Sequence, residues 1–211
     1  MLRLIVDPVH PEPRKIARAV EALRAGELVA YPTDTVYALG CDYEDRKAVE
    51  RLYALKGMKR SQPLAFLLPD LGEIARFGVV SNAAYRLMKR LIPGPYTFVL
   101  EATREVPRPL IVDMKRGRDN RRTVGVRVPE HPVTRAMLAA YGRPILSTSC
   151  AGDDGEPLGA PNEVRDRYER GLDVLVDGGY TGTVVSTVLA LIRDELEVMR
   201  EGKGQVDDLP L

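Results

Sequence analysis

The sequence predicts an α/β domain built on one twisted, mixed sheet with flanking helices. Apolar segments of strand length alternate with amphipathic segments of helical period in the first half, and strands predominate in the second half. No internal repeat and no low-complexity linker divides the 211 residues, so we expect a single domain over residues 1–211. A chain of this length buries about 70% of its unfolded surface, which is enough for a core without disulfides or metals.

The first half of the chain contains three strand-like segments, at residues 2–6, 27–31 and 64–68. The last of these is apolar throughout, which predicts a strand buried on both faces. Helical spacing of apolar residues predicts helices over residues 12–25 and 45–55. Ser81 is a suitable N-cap for a third helix whose inward positions share one face: Ala84, Leu87, Met88 and Leu91.

The second half contains one predicted helix, over residues 133–141, which Gly142 terminates. Short apolar segments predict strands on either side of it: residues 96–101, 123–128, 145–147, 174–176, 185–191 and 196–199. Since few of these strands are separated by helices, parallel and antiparallel neighbours are expected in the same sheet.

Composition excludes several classes of protein. The 31 basic and 30 acidic residues leave a net charge of +1, so total charge indicates neither a nucleic-acid nor a membrane partner. Two cysteines and two histidines exclude a zinc finger or a disulfide scaffold. No apolar run approaches the roughly 20 residues of a membrane span, and the N-terminus does not resemble a signal peptide. We therefore expect a cytoplasmic protein without membrane association.

The first candidate site is the segment YPTDTVYALG at residues 31–40, which follows a predicted strand. The hydroxyls of Thr33 and Thr35 are able to bind a phosphate or carboxylate, and Tyr37 is able to stack on a base. The alternative is a turn whose side chains satisfy their own backbone. Local sequence favours the turn.

The second candidate is KGMKRSQPL at residues 56–64, at a predicted helix end. Lys56, Lys59 and Arg60 could neutralise a polyphosphate, and Gly57 permits close backbone approach. Equally, cations at this position could complement the helix dipole. The segment is not a P-loop, because the required Gly-x-x-x-x-Gly-Lys-Ser/Thr pattern is absent from the sequence.

The third candidate is STSCAGDDGEP at residues 147–157, where Ser147 and Ser149 and the backbone amides could hold a phosphate at a strand end, or form a surface turn. Cys150 has no histidine near it in sequence, which disfavours a nucleophile. His131 is interpreted as a helix-start residue.

The fourth candidate is KRGRDNRR at residues 115–122, with five cations in eight residues. It is either an RNA or polyphosphate patch or a solvated loop before the next strand. Since no aromatic residues are interleaved, stacking on single strands is disfavoured.

Seven short blocks, taken in order, resemble the YrdC-like family and most closely its YciO branch, over residues 17–204. The blocks are YPTDTVYALG (31–40), Lys56 with PL (63–64), PGPYT (93–97), VRVP (126–129), STS (147–149), STV (186–188) and REG (200–202). The resemblance implies a concave, positively lined cavity in the α/β sheet. It also implies a nucleotidyltransferase that makes threonylcarbamoyl-AMP and pyrophosphate from L-threonine, bicarbonate and ATP, for tRNA modification.

Carried over by position, the resemblance implies two catalytic residues, Lys56 and Arg127, and Mg²⁺ held mainly by the nucleotide rather than by protein ligands. The implied substrate- and nucleotide-binding residues are Thr33, Thr35, Tyr37, Lys59, Arg60, Ser147, Ser149 and Ser186.

Two positions depart from the family pattern. Met58 replaces the arginine of Lys-x-Arg, for which Lys59 or Arg60 could substitute, and Ala151 replaces the asparagine of Ser-x-Asn. Three functions therefore stay open. They are the synthase, a non-catalytic protein that binds tRNA or double-stranded RNA through the cavity and residues 115–122, and a related adenylating enzyme with another substrate.

Overall fold

The computed structural model describes residues 1–116, 119–207 and 209, and over these residues a mixed sheet is flanked by helices on both faces. The helices are α1 (Pro13–Arg24), α2 (Arg46–Lys56), α3 (Leu71–Phe77), α4 (Asn82–Leu91), α5 (Pro132–Tyr141) and α6 (Pro161–Tyr168), with a 3₁₀ turn at Arg108–Leu110. The strands are β1 (Leu2–Ile5), β2 (Val29–Tyr31), β3 (Ala38–Asp42), β4 (Ala65–Leu67), β5 (Tyr96–Glu101), β6 (Val112–Arg116), β7 (Asp119–Arg127), β8 (Ile145–Ser149), β9 (Val174–Asp177), β10 (Thr187–Ile192) and β11 (Glu195–Arg200).

The strand order is β1-β9-β2-β3-β8-β4-β7-β5-β10-β11. The pairs β1–β9, β2–β9, β4–β7 and β5–β10 are parallel, and the other neighbours are antiparallel. Strand β6 pairs with the first half of β7, on the side where β4 pairs with its second half. The predicted mixed α/β sheet is thus confirmed.

The two faces of the sheet are covered unequally. Helices α2, α3, α4 and α6 pack on one face and bury one side of most central strands. On the other face, α1 and α5 form a second core with β1, β2, β3, β8 and β9, and only Leu67 of β4 reaches it. Over the described residues, the second face of β5, β7 and β10 therefore lies outside both helix-covered cores.

Local signals explain several helix ends. Asp45 Oδ1 accepts hydrogen bonds from the backbone N–H groups of Lys47 (2.8 Å) and Ala48 (3.1 Å), so α2 begins where the sequence predicts. It ends at Gly57, whose φ of +66° lies in the left-handed region. Ser81 caps α4 by accepting from the Ala84 N–H at 3.1 Å. No described helix is long and apolar enough to cross a membrane.

Some elements were not predicted from the sequence: β3, α3, β6 and α6. Strand β3 forms within and just after residues 31–40, which local sequence favoured as a turn. The basic segment at residues 115–122 is not only a loop, because β7 begins at Asp119 and pairs with β6 as a hairpin. Residues 117 and 118 of that segment, including Arg118, lie outside the described residues.

Candidate functional site

The uncovered part of the second sheet face forms a cleft of about 290 Å³. Its floor is apolar and comes from neighbouring strands: Ala65, Leu67, Val99, Gly125 and Val188, with Val112 and Met114 of the hairpin. Most of its polar lining comes from hydroxyls and two arginines: Thr33, Thr35, Thr97, Thr123, Arg127, Ser147, Thr148, Ser149, Ser186 and Arg200. Asp113 is the remaining charged residue of the lining.

Arg127 ends β7 and is buried at the cleft, with 7% of its surface exposed. Its Nη2 lies 2.6 Å from Asp34 Oδ1, and its Nη1 donates to Thr35 Oγ1 at 3.1 Å. Burial lowers the pKa of the guanidinium and the Asp34 carboxylate opposes that shift, so Arg127 remains a cation. Within the described part of the chain, Arg127 Nε and Asp34 Oδ2 are buried without a hydrogen-bond partner.

Thr33 lies beside this ion pair. Its Oγ1 donates to the carbonyl oxygen of Val36 at 2.6 Å and lies 2.9 Å from Thr35 Oγ1. Both threonines line the cleft but are almost fully buried. Their hydroxyls therefore face Arg127 and the backbone as well as the cleft.

Arg200 is a second cation of the cleft, and it begins the REG block at residues 200–202. Its Nε and Nη2 donate to the carbonyl oxygen of Ser186 at 3.2 and 2.8 Å. Burial and the positive charge of Arg127 lower the pKa of Arg200, because the two guanidinium groups repel each other electrostatically. The Ser186 hydroxyl lies 2.9 Å from that of Thr97, which completes a polar wall. Positive charge is concentrated at these arginines rather than spread over the cleft.

The serines of β8 differ in what they offer a ligand. Ser147 Oγ accepts from the Tyr31 hydroxyl (2.8 Å) and donates to the Leu39 carbonyl (3.1 Å), so its one hydrogen is committed. The Ser149 hydroxyl makes no hydrogen bond with the described residues and is half-buried at the cleft. Ser149 is thus better suited than Ser147 to donate to a substrate.

Tyr37 lies away from the cleft, contrary to the role predicted for it. Its ring is fully buried, and its hydroxyl donates to Gly179 O (2.8 Å) and accepts from Gly178 N (3.1 Å). Burial raises the pKa of this phenol. A ring enclosed in this way does not stack on a nucleotide base.

Lys56, Lys59 and Arg60 do not line the cleft. The Nζ of Lys56 lies 3.5 Å from the Tyr168 hydroxyl, and burial lowers the pKa of Lys56. Tyr168 also donates to Ala151 O at 2.8 Å, which places Lys56 beside the end of β8. Lys59 and Arg60 are exposed.

The position of Met58 bears on the missing arginine. Its sulfur lies 3.7 Å from the hydroxyl of Thr148, which lines the cleft. Arg60 instead pairs with Glu50 of α2 at 2.9 Å. In this structure, therefore, Arg60 does not supply a guanidinium at the cleft.

The candidate metal ligands are the histidine, cysteine and acidic side chains, and Cys150 is a candidate nucleophile. Across residues 1–116, 119–207 and 209, no group of three His, Cys, Asp or Glu side chains is placed to hold a metal ion. Cys150 is fully buried, and burial raises the pKa of its thiol, which disfavours the reactive thiolate.

His131 is the N-cap of α5, as the sequence analysis predicted. Its Nδ1 accepts a hydrogen bond from the Val133 N–H at 3.3 Å, which requires the neutral imidazole. Burial lowers the pKa of His131; the Asp34 carboxylate opposes this shift and Lys203 adds to it. The cap is therefore strongest where His131 is uncharged.

We expect the free energy of unfolding to fall as the pH drops below about 6.5, the ordinary pKa of histidine. The pKa of His131 is lower in the folded protein than in the unfolded chain, so in this window the unfolded chain binds the extra proton. His131→Asn, which keeps a capping side chain, should flatten this dependence in urea titrations, whereas His10→Asn should not. An unchanged slope in His131→Asn would contradict the assignment.

Comparisons with known proteins identify relatives of this chain. The Sua5/YciO/YrdC family model, described as telomere recombination, matches residues 21–202. The chain is 41% identical over 202 residues to the uncharacterized protein YciO of Escherichia coli K12, covering 95% of both. It is 36% identical over 176 residues to a threonylcarbamoyl-AMP synthase of Halorhodospira halophila, covering 83% of this chain and 88% of that protein.

Two solved structures share the fold. The crystal structure of E. coli YciO superposes with a TM-score of 0.90 at 40% identity and covers 98% of both chains. P. abyssi Sua5 complexed with L-threonine superposes with a TM-score of 0.85 at 30% identity. That match covers 96% of this chain and 58% of Sua5.

Proposed function

Because the chain belongs to the Sua5/YciO/YrdC family, we propose that it is an ATP-dependent adenylyl-transferring enzyme of the threonylcarbamoyl-AMP synthase type. Its reaction joins L-threonine, bicarbonate and MgATP to give threonylcarbamoyl-AMP and pyrophosphate. The threonylcarbamoyl-AMP then serves tRNA modification. Relatives named threonylcarbamoyl-AMP synthase and the Sua5 structure with L-threonine support this proposal.

The observation that carries the proposal is the pair of guanidinium groups beside the apolar floor of the cleft. Every substrate is anionic or carries an anionic group, and Arg127 and Arg200 both line the cleft. The apolar floor around Gly125 suits an uncharged part of the nucleotide. Ser149 adds a hydroxyl without a partner among the described residues.

The chemistry requires positioning and charge neutralisation more than a protein nucleophile. The threonine amine attacks the bicarbonate carbon, and water leaves as the carbamate forms. A carbamate oxygen then attacks the α-phosphorus of ATP, and pyrophosphate leaves. Arg127 and Arg200 are proposed to stabilise the negative charge of these groups. Mg²⁺ is proposed to enter as part of the MgATP substrate, because Mg²⁺ is usually held by substrate phosphates with few protein ligands.

A related enzyme that adenylates a different substrate is a second candidate. Met58 occupies the position where the family pattern has an arginine, and its thioether contacts Thr148 of the cleft. A soft, uncharged side chain there favours a substrate with less negative charge near Thr148.

RNA binding is the third candidate, and the β6–β7 hairpin is the feature that favours it. Arg108 and Arg122 line a shallow pocket with Ile111 and Asp113. Strand alternation turns Arg122 away from the cleft face that Thr123 lines. RNA affinity at this surface should fall steeply as the salt concentration rises. Arg108→Gln/Arg122→Gln should lower the affinity and make its salt dependence shallower, because fewer counterions are released on binding.

Pyrophosphate release from MgATP tests the proposal directly. L-Threonine and bicarbonate are omitted in turn, and we expect release only when both are present. Arg200→Gln should lose the activity, whereas Arg170→Gln, an exposed substitution outside the cleft, should retain it. Release with other amino acids but not threonine would support the second candidate. No release, with salt-sensitive RNA binding, would replace the synthase proposal by the third.

A further inference from the structure

Thr33 donates its hydroxyl hydrogen to the protein backbone. Its Oγ1 lies 2.6 Å from the carbonyl oxygen of Val36, and a carbonyl oxygen is only an acceptor. Thr33 carries one hydroxyl hydrogen, so that hydrogen is fully committed. The Thr33 oxygen is left to accept hydrogen bonds, one of which comes from the Thr35 N–H at 3.2 Å.

The hydrogen bond from Thr33 to the Val36 carbonyl fixes the orientation of the neighbouring Thr35 hydroxyl. The two hydroxyl oxygens are 2.9 Å apart, and either could be the donor if the pair stood alone. Because the hydrogen of Thr33 is committed to Val36, Thr35 must donate to Thr33. Thr35 Oγ1 then accepts from Arg127 Nη1 at 3.1 Å. A one-directional chain therefore runs from Arg127 through Thr35 and Thr33 to the Val36 carbonyl.

The chain has two consequences for Arg127. Consecutive hydrogen bonds in one direction polarise each other, so Thr33 strengthens the bond that Thr35 makes with the guanidinium. Asp34, between the two threonines, holds the second terminal nitrogen at 2.6 Å. Both terminal nitrogens are thus fixed by neighbouring residues of one segment.

The remaining N–H groups of Arg127 are then available to a ligand. Its Nε is buried and has no partner among the described residues, and Arg127 lines the cleft. A buried donor without an acceptor is unfavourable until an oxygen satisfies it. The acceptor that suits a guanidinium is a carboxylate or phosphate oxygen.

We propose that Thr33 is a positioning residue, which acts on a carboxylate or phosphate oxygen of the substrate only through Thr35 and Arg127. Neither threonine hydroxyl donates to the substrate while the chain is intact. The inference rests on the proposed function, because it assigns roles within the same cleft. It refines the expectation that Thr33 and Thr35 are substrate- and nucleotide-binding residues.

A double-mutant cycle on ligand affinity distinguishes the two roles. L-Threonine and MgATP are titrated separately into wild type, Thr33→Val, Arg127→Gln and the double variant, so that a carboxylate and a phosphate source are compared. We expect Thr33→Val to raise the Kd of one of the two ligands about tenfold. This loss of affinity is typical of removing a hydrogen bond to a charged group. In the Arg127→Gln background, Thr33→Val should have no further effect. An additional loss in the double variant would mean that Thr33 contacts the ligand directly.

A second measurement needs no ligand, and it tests the proposal even if neither L-threonine nor MgATP binds detectably. Nitrogen-15 NMR of the Arg127 side chain reports rotation of its guanidinium, which the chain should hinder. Thr33→Val should make this rotation faster, whereas Thr33→Ser, which keeps the hydroxyl, should retain the slow rotation of the wild type. Thr103→Val is the matched control, because its hydroxyl also donates to a backbone carbonyl, that of Arg76 at 2.6 Å, outside the cleft.

The outcomes separate the two claims. Unchanged rotation in Thr33→Val would overturn the positioning role whether or not a ligand binds. Faster rotation, combined with no binding of L-threonine or MgATP to the wild type, would retain the positioning role and reject the proposed substrates.

Discussion

Replacing Arg127 with Met is expected to reduce pyrophosphate release by about a hundredfold to a thousandfold, because it removes a preorganised cation from the cleft. The same change should lower the free energy of unfolding by about 3–5 kcal/mol. The Asp34 side chain is only 11% exposed, so the substitution strands a carboxylate that has lost its cation. Urea titration measures the second effect, and the pyrophosphate assay measures the first.

The double variant Arg127→Met/Asp34→Asn is the matched control. It removes the stranded charge together with its partner, so most of the lost stability should return while the activity stays low. This result would show that the activity loss does not come from partial unfolding. Wild-type activity in either variant would exclude Arg127 from the reaction.

Replacing Gly125 with Val is expected to fill the cleft floor and to reduce pyrophosphate release by at least about a hundredfold, since a displaced substrate loses its reactive geometry. A Cβ at this position would meet its nearest atoms, Leu64 O and Ala65 Cα, at 3.4 and 3.5 Å, which are ordinary contacts. The free energy of unfolding should therefore stay constant or rise by up to about 1 kcal/mol, because glycine weakens a strand interior.

Gly125→Ala provides the graded control for this prediction. One methyl group occupies little of a cleft of about 290 Å³, so the activity should fall much less than in Gly125→Val. Thermal unfolding and the pyrophosphate assay, run on both variants, separate blockage from misfolding. Full activity in a well-folded Gly125→Val protein would place the reaction elsewhere.

The sequence predicted elements whose signals are local, and missed those that depend on distant partners. Asp45 and Ser81 marked helix starts because a cap acts within three residues. Strand β3 has no β-branched residue, and pairing with β2 and β8 makes it a strand. Helix α3 has seven residues, too few for a clear helical period.

In the candidate site, too, features with a local signal were predicted and features that depend on distant partners were not. Residue blocks in family order led to Arg127, but the Asp34–Arg127 pair joins residues 93 apart and follows only from the fold. Tyr37 was misjudged because an aromatic residue within a polar motif resembles a surface residue, whereas here it anchors the backbone of Gly178 and Gly179. The sequence predicted no role for Arg200, because its position at the cleft follows only from the pairing of β10 with β5 and β11.

The half-covered sheet has a consequence for how this protein could acquire new specificities. In β5, β7 and β10, residues that face the helix-covered core alternate with residues that face the cleft, as Val126 and Leu189 alternate with Gly125 and Val188. Mutations at the second set can reshape the cleft while the first set continues to hold the strands in place. Unlike the buried Arg127, the apolar positions of this set, such as Gly125 and Val188, can therefore change at little risk to folding. Related proteins could diverge in substrate preference at these positions on one conserved fold.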